Sequence, residues 1–162
     1  MLSQYHLENR RYFRPWEPRT SAAYHSVHEW ESRVRERLIE QENKKAIYVL
    51  ATENKTDKII GHCTLSQIFY GSFMACYMGY AISKTCEGRG VMRQICLHAI
   101  NHAFDDLGLH RIMANYMPHN NRSARLLRRL GFIIEGKADN YLKIDGTWEN
   151  HILTSLINPR QL

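Results

Sequence analysis

The sequence predicts a mixed α/β domain of the α+β type, in which helices flank one twisted central sheet. Two observations predict this class. Short segments with the apolar patterns of β-strands recur along the chain, and segments with apolar residues at helical spacing separate them. The resulting order is helix, three strands, helix, strand, helix and further strands, which neither an all-α nor an all-β class accommodates. With 162 residues and 44% hydrophobic content, the chain is expected to form one domain, residues 1–162.

The first half of the chain supplies a helix and three strands. Residues 22–42 are predicted to be helical, because apolar residues recur at helical spacing while charged residues fill the other face. The apolar positions are Val27, Trp30, Val34 and Leu38. The predicted strands cover residues 46–52, 59–69 and 73–83, with turns between them.

The second half begins with an amphipathic helix predicted over residues 91–107, which ends before Gly108. One stripe of this helix is apolar and consists of Met92, Ile95, Cys96, Ala99, Ile100, Ala103 and Phe104. Pro118 ends a strand predicted over residues 111–117, and Asn120 or Asn121 caps a short helix. The remaining predicted strands cover residues 132–135, 141–144 and 148–157, the last two joined by an Asp145-Gly146 turn.

Composition and residue spacing exclude several classes of protein. No apolar stretch approaches the ~18 residues of a membrane-spanning helix, and the N-terminus lacks the apolar core of a secretory signal, so we expect a cytoplasmic protein. The four cysteines and nine histidines form no common metal-binding pattern, which predicts reduced cysteines and no metal site. The net charge of +6 favours an anionic partner: nucleic acid, a ribosome surface or a phosphate-rich cofactor.

The segment from Tyr80 to Arg93 carries the most chemical information. A predicted strand ends there, a turn containing Gly88 and Gly90 follows, and the long helix begins. Backbone N–H groups at such a junction have no helical partner, and the helix dipole favours an anion beside them. Arg89 and Arg93 add positive charge. Together, the free N–H groups, the glycines and these arginines describe a binding site, or cradle, for a pyrophosphate. The short glycine pattern taken alone favours an ordinary strand–turn–helix junction.

Two further segments, residues 115–132 and the turn at residues 144–148, change that balance. Together with the cradle they resemble the GCN5-related N-acetyltransferase (GNAT) superfamily over residues 46–157. Within this superfamily, the sequence is similar to the ribosomal-protein-alanine N-acetyltransferases of the RimJ type. Four phrases carry this similarity: ENRRYFRPWEP (residues 8–18), GSFMACYMGY (71–80), HRIMANYMPHNNRS (110–123) and DGTW (145–148). The superfamily usually has a strand before the first helices, and by this resemblance that strand is missing here.

The resemblance implies an acetyl-CoA-dependent N-acetyltransferase and assigns residues to the cofactor. Backbone amides would hold the pyrophosphate, and these belong to Gly88, Arg89, Gly90, Val91, Met92 and Arg93. The end of the preceding strand would pair with the pantetheine arm and polarise the thioester carbonyl through Tyr80, Ala81 and Ile82. Asn120 would hydrogen-bond the pantetheine, and Ser123 would lie near the sulfur. Of the four arginines around the short helix, Arg122 and Arg125 are closest to the cradle and are candidates to reach the phosphates; a solvated face is the alternative and is favoured for most of the four.

The sequence departs from the superfamily pattern at four positions: Glu87, Met92, Asn115 and Leu127. Asn115 stands where some members have a Glu base, and Leu127 where many have a Tyr general acid. We therefore hypothesise that Ser123 protonates or hydrogen-bonds the departing thiolate; alternatively, Ser123 only satisfies backbone groups near a helix start. Glu17, beside Trp16, is a candidate to bind the incoming amine, the alternative being a solvated surface carboxylate.

The predicted acceptor is the N-terminal α-amine of a protein, and the RimJ resemblance implies the N-terminal alanine of a ribosomal protein, with possible contact to ribosomal RNA. An α-amine has a pKa of ~8 against ~10.4 for lysine, so it demands less of a base, which fits Asn115. Two alternatives remain open. One is acetylation of a polyamine or an aminoglycoside; the other is a ribosome-binding assembly factor on the same fold.

Overall fold

The computed structural model describes residues 1–54 and 56–161, and it confirms the predicted α/β class. The described α-helices are α1 Leu2–Phe13, α2 Val27–Glu42, α3 Val91–Asn101 and α4 Asn121–Arg129. The described strands are β1 Ile47–Thr52, β2 Ile59–Phe69, β3 Ala75–Ile82, β4 Arg111–Met113, β5 Ile133–Ile144 and β6 Thr147–Ile157. Short 3-10 turns include Arg14–Trp16, Ala22–His25 and Lys84–Cys86, and one π-helical turn, His102–Asp106, extends α3.

The strands form one mixed sheet in the order β1-β2-β3-β4-β6-β5. All neighbours are antiparallel except β3 and β4, which run parallel. This parallel pairing is short, because only Ala75, Cys76 and Tyr77 of β3 find partners in β4. Beyond it the chain turns towards β6, where the Ala114 N–H donates to the Thr154 carbonyl at 3.1 Å. Within residues 1–54 and 56–161, the C-terminal half of β3 therefore has one edge without a neighbouring strand.

The core lies between α3 and the sheet. Five residues of the predicted apolar stripe are buried, namely Ile95, Cys96, Ala99, Ile100 and Ala103. A Cβ built on Gly61 of β2 would lie 3.1 Å from Ile95 Cδ1, so glycine permits the close approach of α3 to the sheet. Cys63, Cys76 and Cys96 are buried free thiols, as expected, and burial raises the pKa of Cys76 to about 12.

Four predictions on elements need correction. The strand predicted over residues 111–117 covers only Arg111–Met113. Helix α2 begins at Val27 instead of residue 22, because the Ser26 hydroxyl accepts from the Glu29 N–H at 3.2 Å and caps the helix there. Of its predicted inner face, Trp30 is 3% exposed, but Val27 and Leu38 are 64% and 55% exposed. Strand β5 is one element with two irregularities instead of two separate strands.

The predicted hairpin turn is confirmed. Asp145 and Gly146 have φ values of 43° and 92°, the left-handed conformation that two-residue hairpin turns require. The Asp145 N–H donates to the Glu17 carbonyl at 3.1 Å, which attaches this turn to the segment after α1. In the part of the chain that the structure describes, no helix is long and apolar enough to cross a bilayer.

Candidate functional site

A cavity of about 520 Å³ lies where the free edge of β3 meets the N-termini of α3 and α4 and the end of α1. Its lining comes from three separate stretches of the chain: Tyr12–Glu17, Tyr80–Arg93 and Asn120–Arg129. The sheet opens at this place because β3 and β4 have parted. The cavity lies beside the glycine turn, where the sequence predicted a binding site.

The glycine turn presents unpaired backbone amides. Gly88 and Gly90 have φ values of 71° and 77°, and a Cβ on either would meet no atom within 4 Å. Among residues 1–54 and 56–161, the N–H groups from Gly88 to Arg93 find no protein acceptor, and the first helical bond of α3 is Gln94 N–H to Gly90 O at 3.3 Å. Since no side chain caps α3, its N-terminus is suited to an anion.

The end of β3 presents backbone groups along its open edge. The Ser83 N–H donates to the Ile60 carbonyl of β2 at 2.8 Å, so by strand alternation Ala81 also faces β2. The Ala81 carbonyl receives a further bond from the Tyr5 hydroxyl at 3.3 Å. Tyr80 and Ile82 consequently direct their backbone groups away from β2, towards the cavity. The backbone groups of Tyr80 and Ile82 are thus free to pair with a pantetheine arm, as the sequence predicts. Ala81 also lines the cavity, but its backbone groups are bonded within the sheet.

Helix α1 holds the turn in place. The Asn9 side chain is 8% exposed, and its NH₂ group donates to the Tyr5 carbonyl at 2.9 Å and to the Ser83 hydroxyl at 3.2 Å. Its oxygen accepts from the Lys84 N–H at 3.3 Å. Because Asn9 is fully bonded, the backbone leading into the glycine turn is fixed before any ligand arrives.

Glu87, the acid that departs from the superfamily pattern, is paired with an arginine and a tyrosine. Both the Tyr12 hydroxyl and the Arg122 guanidinium donate to Glu87 Oε1, and Arg122 also donates to the Tyr12 oxygen at 2.8 Å. Burial, followed by the bond to Glu87, raises the pKa of Tyr12 to about 12. The Arg122 guanidinium lies 5.4 Å from the centre of the Tyr12 ring. We call Tyr12, Glu87 and Arg122 the clasp; it joins α1, the glycine turn and α4 across the cavity.

Helix α4 brings two predicted residues to the cavity. The Asn120 side-chain oxygen accepts from the Ser123 N–H at 3.2 Å and caps the helix, so the NH₂ group of Asn120 is the part left to bond a ligand. Ser123 and Tyr80 both line the cavity, and burial raises the pKa of the Tyr80 phenol above its ordinary value.

Glu17 lies at the boundary between this cavity and a second one of about 450 Å³. Burial raises the pKa of its carboxyl group above the ordinary value. Within the described residues no cation or hydrogen-bond donor pairs with the Glu17 side chain. Trp16 lines the main cavity beside it, with its ring 5.6 Å from that of His119. A half-buried, unpaired carboxylate between two cavities is suited to bind a cationic group.

The structure brings together almost all of the predicted site residues. Those that line the main cavity are Trp16, Glu17, Tyr80, Ala81, Ile82, Gly88, Gly90, Val91, Met92, Arg93, Asn120 and Ser123. Arg89 is exposed and does not line it, because the positive φ of Gly90 turns the chain after Arg89 into α3. The Arg89 side chain is therefore no longer assigned to the pyrophosphate. Binding of the pyrophosphate by the Arg89 backbone N–H remains a prediction.

Sequence reasoning missed part of the lining. The missed residues are Tyr12, Phe13, Cys86, Leu126 and Arg129, whereas Arg122 and Arg125 were expected near the phosphates and do line the cavity. Tyr12 and Phe13 lie in α1, far along the chain from the glycine turn, so no local pattern relates them to it. In the described ranges, no group of three or more His, Cys, Asp or Glu side chains is arranged to hold a metal ion.

Comparison with known proteins gives concordant results. A model of the acetyltransferase (GNAT) domain matches residues 3–133. The chain is 41% identical over 160 residues to the ribosomal protein uS5-alanine N-acetyltransferase of Escherichia coli K12, a match covering 98% of this chain and 81% of that protein.

Two solved structures share the fold. The ribosomal-protein-S5-alanine acetyltransferase from Vibrio fischeri superposes with a TM-score of 0.94 at 38% identity, covering 97% of this chain and 86% of that one. Mycobacterium smegmatis RimJ in complex with CoA-disulfide gives a TM-score of 0.89 at 26% identity, covering 99% and 77%.

Proposed function

Because this chain belongs to the GNAT family of acetyltransferases, we propose that it transfers an acetyl group from acetyl-CoA to the N-terminal α-amine of a protein, specifically the N-terminal alanine of a ribosomal protein. The observation that carries the proposal is the run of unpaired amides from Gly88 to Arg93 beside a cavity that ends at the Glu17 carboxylate. The similarity to the Escherichia coli ribosomal protein uS5-alanine N-acetyltransferase supports the choice of acceptor.

The residues present fit acetyl-CoA. The amides of the glycine turn and of the first turn of α3 would bind the pyrophosphate, with Arg93 and Arg125 adding charge. The free backbone groups of Tyr80 and Ile82 would pair with the pantetheine arm, and the Asn120 NH₂ group would bond it from the other side. The co-substrate supplies an acyl group already activated by its thioester.

Glu17 provides the acceptor side of the reaction. Its carboxylate would bind the incoming ammonium group, and its raised pKa brings it closer to that of an α-amine. The ammonium group would first lose one proton to solvent, because only the neutral amine has the lone pair that attacks the thioester. As the C–N bond forms, a second proton would pass from the nitrogen to Glu17, directly or through water. A lysine ε-amine, with a pKa of ~10.4, would be a poorer donor to this carboxylate.

Two groups would stabilise the charge that develops during transfer. Negative charge appears first on the carbonyl oxygen, within reach of the free N–H groups at the end of β3. As the C–S bond breaks, charge moves to the sulfur, and the Ser123 hydroxyl would donate a hydrogen bond or a proton there. The Tyr80 phenol, which lines the same cavity, would orient the Ser123 hydroxyl.

A polyamine or aminoglycoside acceptor is less well supported. Such substrates are polycations and need several carboxylates, whereas arginines outnumber acids around the acceptor cavity. The deciding experiment offers the enzyme acetyl-CoA with peptides that begin in alanine, the same peptides with a blocked N-terminus, and spermidine. Acetylation of the free α-amine only is expected; turnover of spermidine but of neither peptide would overturn the proposal.

We also propose that the enzyme contacts ribosomal RNA while it acts. Supporting this are the net charge of +6 and the exposed Arg128, which lines neither cavity and has no carboxylate partner in the described ranges. Binding to ribosomal subunits should weaken steeply with salt and weaken further in an Arg128→Gln variant, as co-sedimentation would measure. Binding that is indifferent to salt would contradict this proposal.

A further inference from the structure

The second cavity continues from the acceptor end of the main one. Phe13 and Glu17 line both cavities, so Glu17 is where they meet. The second cavity is enclosed by the end of α1, by residues 18–25 and by Asp145 of the β5–β6 turn. A peptide whose N-terminal amine binds Glu17 has its following residues directed away from the cofactor. The second cavity is a space next to Glu17 that can receive them.

Arginines dominate the walls of this second cavity. Arg10, Arg11, Arg14 and Arg19 line it, against the carboxylates of Glu17 and Asp145. Arg14 is already used, because its Nε lies 2.9 Å from Asp145 Oδ2. Within residues 1–54 and 56–161, Arg10, Arg11 and Arg19 pair with no carboxylate. Three guanidinium groups thus border one cavity without being paired to a carboxylate in the described part of the chain.

His25 adds a second sign that the cavity is built for a polar ligand. It lines the same cavity, and neither of its ring nitrogens, both buried, has a hydrogen-bond partner in the described part of the chain. The Ser3 hydroxyl bonds only the His25 backbone carbonyl, at 2.8 Å. Buried polar atoms without a partner are uncommon in native proteins and often belong to sites that a ligand completes.

We infer that this second cavity binds the acceptor chain beyond its N-terminal residue, and that it selects chains carrying an acidic side chain within the first few positions. The inference rests on the proposed function, since it places the acceptor amine at Glu17. Arginine forks pair with carboxylates in a directional, bidentate manner, and three of them bordering one cavity would repel a lysine or arginine there. A basic enzyme can thereby recognise a basic ribosomal protein through a locally acidic N-terminus.

The test compares hexapeptides that begin in alanine and differ at one position from the second to the fifth, where Glu, Gln or Lys is placed. We expect kcat/KM to be about 5-fold higher for Glu than for Gln at the favoured position, and lower again for Lys. Raising the salt should shrink the preference because the arginines are exposed.

Enzyme variants separate the inference from the proposed function. A triple variant, Arg10→Gln with Arg11→Gln and Arg19→Gln, should lose the Glu preference, and Arg11→Glu should shift it towards Lys. The matched control is Arg35→Gln, an exposed arginine of α2 that lines neither cavity and should change nothing. Equal turnover of the Glu, Gln and Lys peptides by the native enzyme would overturn the inference and leave the proposed function standing. Acetylation of spermidine alone, with no peptide turned over, would overturn both.

Discussion

The two ends of the proposed catalytic cleft, a cofactor end and an acceptor end, are built in different ways. The cofactor end consists mainly of backbone groups from one continuous stretch, Tyr80 to Arg93, fixed from behind by Asn9. The acceptor end consists of side chains from the end of α1, the following loop and the β5–β6 turn. A site that binds its ligand through backbone groups depends on the backbone conformation and tolerates many side-chain substitutions. A site that binds through side chains can change its ligand preference with a single substitution. The cofactor end is therefore suited to one constant ligand and the acceptor end to a selected one.

The sharpest test of the acceptor end is Glu17→Gln. We expect kcat/KM for an alanine peptide to fall about 100-fold, because the variant loses both the charge that holds the ammonium group and the proton acceptor. Calorimetry should find acetyl-CoA binding unchanged. An equal loss in both measurements would show that Glu17 does not belong to the acceptor end alone.

The same variant makes a prediction about stability. The pKa of Glu17 is higher in the folded than in the unfolded chain, so its contribution is favourable at low pH and becomes unfavourable as the pH rises through the folded value. At neutral pH, Glu17→Gln should therefore raise the melting temperature. The native and variant enzymes should converge in stability on acidification, and a lower melting temperature in the variant at pH 7 would contradict the argument.

At the cofactor end, the corresponding test is Gly90→Val. Gly90 has a φ of 77°, which a β-branched residue adopts only with strain, so acetyl-CoA affinity should fall about 30-fold as the amides lose their alignment. Gly136→Ala in β5 is the control, since its Cβ would meet no atom within 4 Å and its φ is not positive. Native affinity in Gly90→Val would mean that the amides of the turn do not hold the cofactor.

Ser123 lies between the two ends, and its substitution should affect turnover more than binding. We expect Ser123→Ala to lower kcat about 10-fold, with little change in KM for either substrate, because only the departing sulfur loses a partner. Ser123→Thr should recover part of the loss. Unchanged kcat in the alanine variant would leave Ser123 with a structural role only.

The clasp should give the smallest effect and requires a double-mutant cycle. Arg122→Gln leaves the Glu87 carboxylate without its cation beside the pyrophosphate site, so we expect acetyl-CoA binding to weaken about 5-fold. Glu87→Gln alone should change affinity little, and the double variant should recover most of the loss. Additive losses would show that Arg122 acts on the phosphates directly instead of by neutralising Glu87.

The same contrast explains what the sequence could predict. The glycine turn, the stripe of α3 and the Asp145-Gly146 turn are local patterns, and the structure confirms them. The clasp joins Tyr12 to Glu87 and Arg122, and the second cavity joins α1 to Asp145; each depends on tertiary packing that no local spacing encodes. The prediction of the buried face of α2 was partly wrong. Helical periodicity shows which residues lie on the same side of a helix, but not how much of that side is covered by the rest of the protein.

The early separation of β3 from β4 has a consequence for the lifetime of the protein. Backbone groups of Tyr80 and Ile82 have no strand opposite them, so a bound pantetheine arm would act as a surrogate strand and complete the sheet. A ligand that binds only the native state adds about 2.7 kcal/mol to the unfolding free energy at a hundred times its Kd. Resistance to heat and to proteolysis should then track the total concentration of coenzyme A in the cell, because CoA and acetyl-CoA carry the same pantetheine arm.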